Sequence, residues 1–286
     1  MASHKKTFVG IDIGGSKIEG ILWRGKIINA IAIKTPQSRA AFLTRLTALI
    51  RRLMSGRGVK GITGIGIGCA GGIDVKSGKI IHGPNTKFLN NLDLAATLRK
   101  RFKTPVRIDN DTNCFLRAEF HFGAARNMNN VVGLTLGTGV GGALMLDGQV
   151  RHGAHISGFE FGHMIIASPS LTVEDLVSSH GFARLGVRHP LEAQQKAFAG
   201  DKKARRIYER IGRHLGIALA NLVNIFDPEL IVIGGGISRA GNLLLTPAKQ
   251  EMKKHVVKSV KKLPPVKISK LNHAGAVGAV SLFLSK

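Results

Sequence analysis

The chain has 286 residues, 44% of them hydrophobic, and carries 42 Lys+Arg against 17 Asp+Glu, a formal charge of +25. That length suffices for two domains with real cores. No apolar run approaches the ~18 residues needed to cross a bilayer, and the start, MASHKKTFVG, lacks the apolar segment of a secretory signal. The charge raises nucleic acid as a partner. Aromatic residues are only 5%, however, too few for a base-stacking platform. The basic groups are also dispersed, at Arg51-Arg52, Arg99 to Lys103, Lys202 to Arg206 and Lys253 to Lys262. The last two groups share their segments with apolar residues at helical spacing (Ile207, Ile211, Leu215; Met252, Val256, Val260) and read as solvated helix faces. Specific nucleic-acid recognition is therefore not expected, nor a membrane partner, and attraction for anionic substrates accounts for the charge as well. Cys69 and Cys114 are the only cysteines. Their apolar, small-residue surroundings suit free buried thiols, a reducing compartment and a cytoplasmic location.

In chain order, Val9, Ile11 and Ile13 alternate as a strand. The run breaks at Gly14-Gly15-Ser16 and resumes from Ile18 to Leu22, a hairpin on a glycine turn. Gly14, Gly15, Ser16 and Lys17 offer bare backbone N–H groups to a phosphate, and Asp12 suits a divalent cation beside it. An unliganded tight hairpin is the plain alternative. Lys26 to Lys34 reads as a third strand, and Arg39 to Ser55 as a helix closed by Gly56. A strand over Ile62 to Gly68 follows. Pro84-Asn85 falls in a loop, Leu92 to Phe102 is an amphipathic helix, and Val106 to Ile108 is a strand delivering Asp109-Asn110-Asp111 at its end. The order predicts a mixed α/β layer architecture.

After a helix from Thr112 to Phe122, the opening pattern returns. Val132 to Gly139 aligns with Val9 to Ser16, without a gap as far as Gly148 against Gly25. Two glycine-turned hairpins, one per half, suggest a duplicated domain and place Gly137, Thr138 and Gly139 in a second phosphate loop. Chance similarity of glycine-rich strands is the alternative. The spacing then predicts helices over Val173 to Leu185 and Tyr208 to Ile225, the latter stopped at Asp227-Pro228. A buried strand, Leu230 to Ile233, turns at Gly234-Gly235-Gly236 into a helix near Ser238. A short strand, Val266 to Ser269, and a closing helix, Ala274 to Leu284, complete the chain.

These pieces together resemble the ROK family of sugar kinases and repressors, within the actin-like, hexokinase-type fold. The resemblance covers nearly the whole chain and rests on Asn110-Asp111-Thr112-Asn113, Leu136 to Gly141, Gly158 to Met164, and Asp227-Pro228 leading to Gly234-Gly235-Gly236. It implies two similar ribonuclease H-like α/β domains with a cleft between them. The smaller would be residues 1–111 plus about 273–286, the larger 112–272. It also implies ATP and Mg²⁺ as cofactors, a homodimer, and Asp111 as the general base that takes a sugar hydroxyl's proton. On an isolated Asp111, a helix N-cap is the competing reading. Asn85, Asn110, Glu160, His163 and, across a gap, Glu174 match sugar-contacting positions. Gly234, Gly235 and Gly236 match the loop near the nucleoside, and Asp12 would hold Mg²⁺ through water.

Two departures from the family pattern matter. Many members carry a CxCGxxGC zinc motif where this chain has MIIASPSLTV, Met164 to Val173, so no thiolate zinc site is expected. His163 then remains a sugar contact, or a core histidine, and the brace of the Glu174 loop is in question. In the sequence given, eight residues precede Val9, too few for the DNA-binding domain of the repressor branch. The expected activity is ATP-dependent phosphorylation of a hexose or N-acetylhexosamine. The alternatives are a polyphosphate-dependent or dual-donor glucokinase, favoured by the positive charge, and a non-catalytic sugar sensor.

Overall fold

The structure, a computed structural model, describes residues 6–55, 59, 61–156 and 158–284. Gly56, expected to close the first helix, lies outside the described residues, as do the first five residues of the N-terminal stretch. The first half opens with the antiparallel run β1 (Phe8–Ile13), β2 (Lys17–Trp23) and β3 (Ile27–Lys34). Next come α1 (Arg39–Met54), capped by the Ser38 side chain, and β4 (Gly64–Cys69). Three short strands, β5 (Gly72–Asp74), β6 (Lys79–His82) and β7 (Leu92–Asp93), form a small antiparallel sheet of their own. At two to four residues each, they are too short to show alternation, and the sequence reading missed them. The half ends with α2 (Leu94–Phe102), β8 (Val106–Asn110) and α3 (Asp111–Phe122).

The second half repeats the plan with β9 (Val131–Leu136), β10 (Val140–Leu146) and β11 (Gln149–Arg151), followed by a small hairpin of β12 (Ile165–Ala167) and β13 (Leu171–Thr172). The single helix expected over Val173 to Leu185 is two, α4 (Val173–Val177) and α5 (Ser179–Arg184). Ser178 takes an extended backbone between them, and its hydroxyl accepts the His180 N–H, a local side-chain bond competing with helix continuation. A further helix, α6 (Pro190–Phe198), begins on a proline at its first position. Helix α7 (Lys202–Phe226) starts well before Tyr208, because Asp201 caps it through the Ala204 N–H at 2.8 Å. After β14 (Leu230–Gly234), a 3₁₀ turn over Ile237–Ala240 occupies the start expected for a helix, and α8 (Asn242–His255) begins after Gly241. Helix α8 ends before the Val256 to Lys262 stretch, so only part of that basic group sits on a helix. Strand β15 (Val266–Ile268) and helix α9 (Ala274–Ser281) close the chain.

The two large sheets have the same topology, β3-β2-β1-β4-β8 and β11-β10-β9-β14-β15. In each, an antiparallel hairpin is extended by two parallel strands. The turns differ: four residues separate the paired Ile13 and Ile18, three the paired Leu136 and Val140. Gly25 and Gly148 both take positive φ at the far ends of the repeat. Among the described residues no helix is long and apolar enough to cross a membrane.

Packing divides the chain into one unit of residues 1–123, 152–157 and 271–286 and a second of 124–151 and 158–270. The expected joint at Asp111–Thr112 instead opens α3, which packs on α9 inside the first unit. The second unit's core gathers around α7, whose Ile211, Leu215, Leu219 and Leu222 are fully buried. In the first unit, α9 approaches the sheet backbone to backbone. A Cβ on Gly10 of β1 would strike the Ala276 carbonyl, one on Gly66 of β4 the Ala279 carbonyl, and one on Gly278 of α9 the Cys114 carbonyl of α3.

Gly66→Ala is accordingly expected to cost about 3 kcal/mol or more, since backbone has to move rather than a side chain. Gly61→Ala, where a Cβ meets nothing within 4 Å, serves as the near-neutral control. Urea unfolding midpoints measure both, and equal midpoints would show that α9 yields to the methyl group.

Candidate active site

In the first unit the parallel strands β1, β4 and β8 end along one edge, and register lines up Asp12, Gly68 and Asp109 across them. Carboxyl ends of parallel strands are where open α/β sheets hold ligands. The Asp12 carboxylate lies against Gly275 in the first turn of α9, where a Cβ would overlap its Oδ2. Burial first, then the negative charges of Asp111 and Glu19, push the Asp12 carboxyl up from 3.8 to about 7, against the pull of Lys17. The glycine turn beside it is anchored from outside. The Gly14 N–H donates to the Lys17 carbonyl at 2.9 Å and the Thr35 hydroxyl to the Gly14 carbonyl at 2.7 Å. Ser16 and Lys17 are exposed, and Lys17 pairs with Glu19 at 3.0 Å. Glu19 also faces His273 Nδ1 at 3.1 Å. Although burial pulls Glu19 up, these partners hold its carboxyl below the usual value. The exposed Asn85 packs on the same turn, where a Cβ on Gly15 would sit 2.7 Å from its Cβ.

Asn110 is the N-cap of α3. Its Oδ1 accepts the Thr112 and Asn113 N–H groups at 2.8 and 3.2 Å, and its Nδ2 donates to the Gly71 carbonyl at 3.1 Å. The cap therefore belongs to Asn110, not Asp111, and Asp111 stands at the first helical position, its Oδ1 2.9 Å from the Thr112 nitrogen. The residue that sequence reasoning passed over is Asp109. It is fully buried, and its Oδ1 accepts the Asn110 N–H at 2.7 Å and the Asn113 Nδ2–H at 2.9 Å. His152 Nε2 lies 3.0 and 2.9 Å from its two oxygens, and since a carboxylate only accepts, that nitrogen carries the proton. Burial alone would raise Asp109, but the His152 bond, the Asn113 bond and the Arg117 charge hold its carboxyl below the ordinary range. His152 comes from a distant part of the sequence, so no local spacing marks the pair. Cys69 and Cys114 are buried and free, and burial pushes both thiols up.

In the second unit the turns Gly137-Thr138-Gly139 and Gly234-Gly235-Gly236 stand side by side, because β9 and β14 pair in parallel with Gly234 opposite Thr135. Gly235 has φ +87° and lies directly against the Leu136 backbone, so only glycine fits there. A Cβ on Gly137 or Gly236 would meet nothing within 4 Å, leaving open backbone at both turns. The Ser179 N–H and hydroxyl both donate to the Gly137 carbonyl at 3.0 Å. Glu174 braces the same turn: its Oε2 accepts the Val140 N–H at 2.8 Å and lies over Gly139.

The β12–β13 hairpin leads directly into Glu174, across the stretch where the resemblance implies zinc in other members. The Val173 N–H donates to the Met164 carbonyl at 2.9 Å, and Thr172 and Asp175 form a reciprocal capping box. Among the described residues, no group of three or more His, Cys, Asp or Glu side chains is placed to hold a metal ion. His163 is exposed at the end of a 3₁₀ turn, Phe161–His163, which removes the core-histidine reading. Partial burial, then the Glu174 charge, raise the Glu160 carboxyl against the pull of His163, so these three side chains sit within each other's fields.

The ROK family profile matches residues 8–286. A glucokinase of Halalkalibacterium halodurans is 31% identical, covering 95% of this chain and 93% of its own length. An N-acetyl-D-glucosamine kinase of Escherichia coli O127:H6 is 33% identical, covering 97% and 99%. A ROK family glucokinase from Streptomyces griseus, solved with glucose and AMPPNP, superposes with a TM-score of 0.87 at 25% identity, over 96% of this chain and 98% of that one.

The Asp12 shift has a measurable sign. A carboxyl raised from 3.8 to about 7 on folding binds more protons folded than unfolded. Stability therefore falls as pH climbs through that window, and the loss is complete above about 7. In buffer free of divalent cations, Asp12→Asn should gain on the parent chain by about 2 kcal/mol between pH 5 and pH 8. Urea unfolding across that range measures it, and parallel pH slopes would mean that neither burial nor the neighbouring acids shift Asp12.

Proposed function

The chain belongs to the ROK family and is a sugar kinase, and on that premise we propose that it transfers the γ-phosphoryl group of ATP to a hydroxyl of a hexose or N-acetylhexosamine, with Asp111 as general base. The observation that carries the reading is the row at the strand ends of the first unit. Asp111 opens α3 next to an Asn110 fixed by three side-chain hydrogen bonds, and a second carboxyl, Asp12, feels its charge. In this reading Asp111 takes the hydroxyl proton as that oxygen bonds to the γ-phosphorus. The bond from the γ-phosphorus to the oxygen it shares with the β-phosphate breaks, and ADP leaves.

The chemistry of the residues fits both cofactors. Asp12, raised toward neutrality beside Asp111 and Glu19, suits a cation that relieves crowded negative charge, and Asp12 would hold Mg²⁺ through water. Bound Mg²⁺ supplies neutralisation of the phosphate charge. Gly14 to Lys17 and Gly137 to Gly139 would cradle the phosphates through the N–H groups their turns leave over, those of Gly14 and Gly137 being held by the Lys17 and Gly139 carbonyls, and Gly234 to Gly236 would flank the nucleoside. The paired open turns of the second unit support ATP over polyphosphate as donor. Asn85, Asn110, Glu160 and His163 hydrogen-bond sugar hydroxyls. Glu174 would serve twice, with Oε2 on the Val140 N–H and its carboxylate accepting from a sugar hydroxyl. Two buried free thiols agree with a cytoplasmic enzyme.

The test is ADP release driven by sugar. A panel of hexoses and N-acetylhexosamines should contain at least one that stimulates release. Silence across the panel would remove the kinase reading, and faster turnover with polyphosphate than with ATP would reassign the donor. Asp111→Asn should keep sugar affinity and lose roughly 10³-fold in kcat. Near-parental turnover would remove Asp111 from the base role. Glu174→Ala should raise KM for both sugar and ATP by about tenfold. A change confined to the sugar would show that the Val140 contact does not support the phosphate turn.

A further inference from the structure

A cavity of about 860 Å³ opens in the first unit among α2, β8, α3 and the chain following α9. None of the proposed catalytic, sugar, phosphate or nucleoside residues lines it. Five cationic side chains do: Lys76, Arg99, Lys103, Arg107 and Arg117. The one carboxylate in the lining, Asp109, is fully buried and bound by His152 and Asn113. Asp74, the carboxylate beside Lys76, is also engaged, accepting from the Lys76 and Ser77 N–H groups and the Ser77 hydroxyl.

Among the described residues, Lys76, Arg99, Lys103 and Arg107 form no ion pair with a carboxylate within 4 Å. Arg107 is held by the Leu282 carbonyl and the Phe283 ring, which fixes its position without cancelling its charge. Arg117 approaches Asp109 at 3.5 Å, yet its buried Nε–H makes no hydrogen bond among the described residues. That Nε–H faces Asp109 and is buried, so what the concavity offers phosphate oxygens is the Arg117 charge beside four further cations that, among the described residues, pair with no carboxylate. The volume is that of a small-metabolite site. A solvated helix face explains single lysines. It does not explain five cations converging on one concavity whose acids are already used.

We propose that this cavity is a second anion site, distinct from the glycine turns, which takes a phosphorylated small molecule carrying at least two negative charges. Two sources share that chemistry, a sugar phosphate such as the kinase reaction would release and a short inorganic polyphosphate.

Isothermal titration of the full chain with glucose 6-phosphate and, separately, with inorganic tripolyphosphate tests it, in about 150 mM salt to suppress diffuse attraction. AMPPNP and glucose at saturation occupy the kinase site. One of the two probes should still bind, and the tighter names the source. Lys76→Glu with Arg99→Glu should weaken that binding by at least roughly tenfold and leave kcat and KM for ATP unchanged. The milder Lys76→Gln with Arg99→Gln should weaken it in the same direction, guarding against misfolding of the reversal. Lys253→Glu with Lys261→Glu, on the second unit, should have no effect. Absence of binding by both probes, loss of binding when AMPPNP is present, or equal weakening by the control pair would each overturn the proposal. The binding readouts require no turnover, so failure of the kinase reading, on which the kcat comparison rests, and failure of this proposal are separable.

Discussion

The first unit depends on a backbone-to-backbone contact. Helix α9 lies so close to β1, β4 and α3 that Gly10, Gly66 and Gly278 each face a carbonyl where any other residue would place a carbon. Glycine costs conformational entropy in strands and helices, and here that cost is offset by contact area no side chain could reach. The consequence is positional. With α9 seated this low, Gly275 comes beneath the Asp12 carboxylate and His273 meets Glu19, which in turn holds Lys17 of the first glycine turn. The same helix fixes α3 and hence its first residue, Asp111. The last segment of the sequence thereby sets the geometry of the first hairpin.

Two aspartates one strand apart show how environment divides labour between like side chains. Asp109 and Asp12 both lose water. Asp109 recovers the cost through His152, Asn113 and Arg117 and is held ionised. Asp12 faces other carboxylates and is pushed toward neutrality. A buried charge with its full set of partners is a structural fixture, and removing a partner would leave it exposed to the whole desolvation penalty. A carboxyl in an unrelieved field retains a tendency to bind a proton or a cation, which is the property expected of a functional position. Asp109 passes its order to Asn110 through a 2.7 Å bond, so the fixture supports the proposed site at the strand ends.

Sequence periodicity carried the repeated plan because glycine turns recur at matched positions and β1 and β9 are long enough to alternate. The two glycine turns of the hairpins were legible for the same reason. Strands β5 to β7 were not, since segments of two to four residues have no period to read. The break at Ser178 was hidden because the apolar pattern runs through it, and only the hydroxyl's bond to the His180 N–H ends one helix and starts another. Asn110 stood out as a candidate sugar contact but not as the cap it is, and Asp109 was visible only as a strand-end acid. Its meaning comes from His152, 43 positions away. The expected joint at Asp111–Thr112 took the start of α3 for a boundary, whereas contacts with α9 keep that helix in the first unit.

The second unit holds the loop before Glu174 by backbone and side-chain bonds. The β12–β13 pairing closes the loop, the Thr172–Asp175 box starts α4 one residue before Glu174, and the Met164 carbonyl receives the Val173 N–H. Each bond is modest alone, but they fix consecutive residues, so ordering entropy is lost once for several gains. Glu174 then bonds to Val140 at the end of the second phosphate turn. The side chain assigned to the sugar is thus anchored on the turn assigned to the phosphates. Any movement of that turn is carried to the glutamate through a single hydrogen bond, which ties the placement of acceptor and donor together in a way that a zinc-held loop, fixed by its own ligands, would not require.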